Sequence, residues 1–211
     1  TIAITPGRTF AVTGGQFTQT AGSISGGATA VLSLSALTAS FSQALNTLNL
    51  GLSLSNCTLG GVSLTNGAGT TLTLTGDIVN MPVTNAGTLV LRGSNSLAGG
   101  ATTSSGSTLR VEGSATGPAA LTVTGNLVNN GTLELTSAGA AQDATLNLLG
   151  GSLTNAAGKG LMALAGAGGN RYIGAPLDNQ GTLTVSGPLT LTASNVAHQN
   201  AGTINVTGAD L

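Results

Sequence analysis

Leu, Val and Ile alternate with Thr, Ser and Asn in short runs along most of this chain. Examples are Thr71-Leu72-Thr73-Leu74-Thr75, Leu121-Thr122-Val123-Thr124 and Leu189-Thr190-Leu191-Thr192. Period 2 with one polar face predicts half-buried β-strands. Residues 37–50 show a helical rhythm through Leu37, Phe41, Leu45 and Leu48. Thr, Ser, Gly and Val dominate the chain and are poor helix formers, so this stretch too is expected to be strand or loop.

One motif returns in phase: apolar, any residue, Asn, any residue, Gly-Thr, then Leu or Ile. It occurs around Asn85-Ala86-Gly87, Asn129-Asn130-Gly131, Asn179-Gln180-Gly181 and Asn200-Ala201-Gly202, where His198 takes the apolar slot. Versions with an extra residue before the Gly lie at Asn66 and Asn155, and one with Gln19 in place of Asn runs from Phe17 to Gly22. The slots 19, 66, 85, 129, 155, 179 and 200 are spaced by about 22 residues if the two largest gaps are double steps. A unit this short cannot bury an apolar face alone and must stack on its neighbours.

The motif reads as a corner. Asn and Gly both visit the left-handed backbone region, so Asn-x-Gly is expected to turn the chain there between two strands, with stacked Asn amides able to form a ladder. The expected fold is all-β, a single parallel β-solenoid over residues 1–211 of about nine to ten coils. At about 4.8 Å per coil it would be a rod roughly 45 Å long. An antiparallel sandwich or barrel also has evenly spaced strands, but it would show two-residue hairpin turns rather than one motif in phase.

Composition narrows the classes. Of 211 residues 34 are Gly without a Gly-X-Y period, which excludes collagen, and 40% are apolar, which argues against disorder. Charged residues are 5% and aromatics 2%, so the surface depends on hydroxyls and amides and the interior is thin and aliphatic. A net charge of −1 with no clustered sign removes the footprint of a nucleic-acid or anionic-membrane binder. Cys57 is the single thiol, so no internal disulfide forms and the redox compartment stays open. There is no apolar run of about 18 residues. The sequence starts at Thr1, which suggests a processed product or a piece of something longer.

The Asn-x-Gly-Thr-Leu copies, with the Gly- and Ser-rich stretches at residues 17–26 and 166–171, resemble the Gly-, Thr- and Asn-rich repeats of bacterial extracellular β-solenoid proteins. These include haemagglutinin-type adhesins, autotransporter passengers and other long surface proteins. The resemblance implies a secreted or cell-surface location and a β-solenoid, and it offers no catalytic motif to carry over.

Catalytic and ligand-binding chemistry is sparse. The acids Asp77, Glu112, Glu134, Asp143, Asp178 and Asp210 are scattered, whereas a glycosidase or lyase on such a scaffold needs clustered carboxylates. His198 has no Cys or Asp beside it, and Cys57 has no basic neighbour to activate it and reads as an inert strand residue. Residues 166–169 read as a turn rather than a phosphate loop, since no Lys-Thr follows. Arg171-Tyr172 reads as a capped turn or a surface contact, and Asn205-Val206-Thr207 matters as a glycosylation sequon only in a eukaryotic secretory pathway. Thr pairs such as Thr71/Thr73 and Thr182/Thr184 raise ice binding as a minor alternative. No cofactor or metal is expected.

Neither end shows an obvious cap. Alternation continues from Gly208-Ala209-Asp210-Leu211 into Thr1-Ile2-Ala3-Ile4, so Ile2, Ile4, Ile204 and Val206 are the candidate assembly ends. The expected function is structural and non-enzymatic: a fibre or filament built by end-to-end stacking on copies of itself or on flanking repeats, without nucleic-acid binding or membrane insertion. The alternative is an adhesin segment that binds glycan or host protein. A polysaccharide-active enzyme requires folding to gather the acids.

Overall fold

A computed structural model describes residues 1–208, apart from the side chain of Ala28. The described chain is all β-strand, turn and loop, wound into a parallel β-solenoid of about nine turns of about 22 residues. Each turn has three faces. The first is a ten-stranded parallel sheet running from Thr9–Thr13 to Thr203–Val206, and the second a nine-stranded one from Gln16–Gln19 to Leu189–Leu191. Short strands make up the third face, which is divided into sheets of two, four and four strands. The predicted helical rhythm at residues 37–50 resolves into Thr38–Phe41, Leu45–Asn46 and the start of Leu50–Ser55.

Alternation fixes the core. Inward residues stack at equal heights, as in the column from Val12 through Leu34, Leu54, Leu74, Leu91, Val111, Leu135, Ala163 and Val185 to Val206. Every inner member from Leu34 to Val185 is buried. Burying one such side chain is worth about 1.5–3 kcal/mol, and each coil gains it only from the coils on either side. The three phenylalanines gather at one end: Phe10, Phe17 and Phe41 stack with centroids 6.4 and 5.9 Å apart, and Phe10 is still 38% exposed.

Two of the expected slots change. Gln19 lies in the second face, paired with Phe41, and its Nε2 donates to Gly22 O at 2.9 Å. The position before Asn66 is held instead by Thr47, whose Oγ1 donates to Asn66 Oδ1 at 3.2 Å. The gap between Asn85 and Asn129 is a true double step, filled by Thr103, which pairs with Asn85. The signal for both lay in the sequence, where an apolar residue stands two positions earlier in Leu45-Asn46-Thr47 and Ala101-Thr102-Thr103.

The corner also turns differently. Gly87, Gly131, Gly181 and Gly202 do not have positive φ. They are glycine because a Cβ would collide with carbonyl oxygens of the preceding coil. Left-handed glycines appear in a longer corner, at Gly69, Gly106 and Gly158. There a turn closes from Thr70 N to Gly67 O (3.1 Å), from Ser107 N to Ser104 O (3.1 Å) and from Lys159 N to Ala156 O (3.0 Å). Long and short corners alternate through Asn66/Asn85, Thr103/Asn129 and Asn155/Asn179. Each short Asn-x-Gly nests in the turn above it, with Gly87, Gly131 and Gly181 against those same carbonyls.

Candidate functional site

The third face places the predicted Asn residues in one buried column. Asn66, Asn85, Asn129, Asn155 and Asn179 are almost fully buried, and Asn200 is exposed. Each amide points the same way along the rod. Asn66 Nδ2 donates to Asn85 Oδ1 at 2.8 Å, Asn129 to Asn155 at 2.9 Å, Asn155 to Asn179 at 2.7 Å and Asn179 to Asn200 at 2.7 Å. The second hydrogen reaches a main-chain oxygen of the following coil, as from Asn129 to Gly160 O (2.8 Å) and from Asn179 to Thr203 O (3.1 Å). The Asn carbonyls of one coil accept both N–H groups after the next rung: Gln180 and Gly181 donate to Asn155 O at 2.9 and 3.0 Å. Thr interrupts the ladder. At Thr103 the hydroxyl donates to Val128 O (3.0 Å) and accepts Asn130 N (2.8 Å), and the third face splits into two sheets at this height.

The carboxylates are less scattered than the sequence suggests. Neighbouring strands of the first face carry Arg92 with Glu112 (2.6 Å) and Arg110 with Glu134 (2.5 Å), and Arg110 lies 3.7 Å from Glu112. Glu112 and Glu134 are thus gathered, but each faces an arginine. Asp178 stays on the outer side of the third face and accepts from Gln180 Nε2 at 2.6 Å, and Asp210 lies outside the described residues. Asp77 is fully buried beside Cys57 and Asn95 at the corner leading to the second face. Its two oxygens accept the N–H groups of Cys57 (2.7 Å) and Thr75 (2.8 Å), while its own N–H donates to Asn95 Oδ1 (2.9 Å). Burial pushes the Asp77 carboxyl above its ordinary value, against the pull of those N–H donors and of the Cys57 thiol. Cys57 stands at this corner ahead of strand Thr58–Gly61, and its Sγ donates to Ser55 O at 3.3 Å.

Arg171 is the largest fully buried side chain of the described residues. Its guanidinium donates to the carbonyls of Leu164 (2.8 Å), Ala165 (2.9 Å), Gly168 (3.0 Å), Gln142 (3.0 Å) and Asn170 (3.1 Å) and to Ser137 Oγ (3.1 Å). The expectation of a capped turn holds in a stronger form, because one side chain caps loops from two successive coils. Burial lowers its pKa from the ordinary arginine value, and nearby Asp143 works the other way. These loops, with the turn at Ser114–Gly117, form a ridge along the corner between the first and second faces. Beside it lies a hollow of about 460 Å³ lined by Gly168, Gly169, Asn170, Ser186, Pro188 and Gly208 among others.

His198 is exposed, and its Nδ1 accepts Leu177 N at 3.2 Å. Among the described residues no three of His, Cys, Asp and Glu come together as metal ligands, and no helix is long and apolar enough to cross a membrane. Thr71, Thr88, Thr108, Thr132, Thr182 and Thr203 line up outward on the first face, broken by Gly160 between Thr132 and Thr182, and the next outward column is mixed, with Thr73, Val90, Arg110, Glu134 and Met162. Of the assembly ends, Ile4 is already buried and Ile2 half-buried, while Ile204 and Val206 are 48% and 47% exposed. The join through Ala209, Asp210 and Leu211 lies outside the described residues.

Coils, ladder and columns define a β-solenoid repeat protein. Comparison of the chain with protein-family models, with curated protein sequences and with solved structures finds no match.

Proposed function

We propose that this chain is a structural, non-enzymatic component of an extracellular fibre or surface filament, in which β-coils stack end to end on further copies or on flanking repeats of the same polypeptide. The carrying observation is the C-terminal coil, where Ile204 and Val206 continue the columns of Leu183 and Val185 yet are about half exposed. Strand edges with apolar side chains in that state favour addition of another strand. The extracellular location rests on the resemblance to secreted bacterial repeats. A non-catalytic role is favoured because Glu112 and Glu134 are paired with arginines and Asp77 is enclosed. Electron microscopy and diffraction of the native material test the proposal. Fibres with coil spacing of about 4.8 Å along the axis are expected, and strictly monomeric particles at high concentration would overturn it.

A second reading, an adhesin segment, draws on the ridge held by Arg171 and the hollow beside it. Binding of glycans or host protein lost on deleting residues 138–141 would favour it over assembly.

A further inference from the structure

The ladder distinguishes between partners for the C-terminal edge. In this molecule the amide column is interrupted at Thr103 and begins at Thr47, both hydroxyls that serve as terminators. From Asn129 onward each rung sends one hydrogen to the next carboxamide and the other to a main-chain oxygen in the following coil. Asn200, the last described rung, is the exception. Its Oδ1 accepts from Asn179, but among the described residues its Nδ2 reaches only its own coil, at Gly202 O, 3.3 Å away. One of its two amide hydrogens is therefore left to face the position of a further coil.

Resting on the assembly proposal above, we infer that the C-terminal edge takes a β-coil carrying Asn, or another carboxamide or hydroxyl acceptor, at the rung position, and not this chain's own N-terminal coil. A stacked N-terminal coil would fit the aliphatic columns, since Phe10 and Val12 head the columns that end in Ile204 and Val206. At the rung it would offer Ile4, the residue after strand Ile2–Ala3, which is apolar and already buried within its own end. Asn200 would then be covered by hydrocarbon with one amide hydrogen unpaired, the costly outcome for a buried donor. The occupant is thus a coil of the same Asn-x-Gly-Thr kind as those at Asn129, Asn155 and Asn179.

Two extended chains test this. In one, a second copy of residues 186–206 follows Val206 of the chain; the other is identical except for Asn200→Ile in the copy. Hydrogen exchange is followed at the original Asn200 side-chain amide and at the backbone of Thr203–Val206. The Asn copy is expected to slow both by tenfold or more, and the Ile copy to leave the Asn200 amide exchanging as in the unextended chain. Equal protection of that amide by both copies would overturn the inference, as would no protection by the Asn copy. So would filaments of the unextended chain joined through its own N-terminal coil, although the assembly proposal would survive that result. Conversely, protection by the Asn copy alongside native material that forms no fibres would sink assembly and leave the rung preference standing.

Discussion

Each buried rung serves its neighbours on both sides. Asn155 accepts from Asn129 and donates to Asn179, so Asn155→Leu strands a donor in the preceding coil and an acceptor in the following one, in a dry site. With each stranded buried group costing about 1–3 kcal/mol, the expected loss is roughly 3 kcal/mol or more. Asn155→Thr should cost less, since Thr47 and Thr103 already hold this position with hydroxyl bonds. Urea unfolding of the two variants checks the order, and equal midpoints would show that the ladder contributes little. The six Asn rungs were legible from the repeat alone. Thr47 and Thr103 were hidden because the motif specifies a side chain while the fold specifies a position. The reason for the motif glycines was also hidden: collision with the coil above is a long-range fact, whereas positive φ is a local one.

At the scale of strands and loops, the alternating runs announced the three faces, but nothing in the spacing marked the ridge. Its loops differ in length from coil to coil, and the residue that orders them, Arg171, read in the sequence as the cap of a single turn or a surface contact, not as the tie between two coils. In the fold it donates to five carbonyls and a hydroxyl drawn from the loops of two successive coils. Arg171→Met keeps much of the packing volume and removes all of these bonds. Limited proteolysis should then cut within residues 138–143 and 164–170 at least tenfold faster, while the buried side-chain amides of Asn129, Asn155 and Asn179 remain protected. Unchanged cleavage would mean the loops hold themselves.

For the whole molecule, 5% charge and a backbone-bonded rod predict near indifference to pH and salt. The ion pairs of Glu112 and Glu134 agree with this in part, since their arginine side chains are 44% and 36% exposed and water screens that side of each pair. Asp77 adds one slope of known sign. Its folded pKa is raised, so as pH climbs through the ordinary carboxylate value the unfolded chain ionises first and stability falls, levelling once the folded carboxyl has also ionised. Thermal unfolding followed from about pH 3 upward should therefore show its highest midpoint in acid, and Asp77→Asn should flatten the curve. A midpoint that rose with pH would contradict this placement of Asp77.

The nesting of long and short corners has a further consequence for any fibre built this way. Through three successive pairs, a coil is equivalent not to its neighbour but to the coil after that. Where that alternation is kept the axial period is doubled, to about 9.6 Å, and a reflection at that spacing would accompany the one from single strands; the short corner at Asn200, directly after the short one at Asn179, returns the rod to the single-coil step.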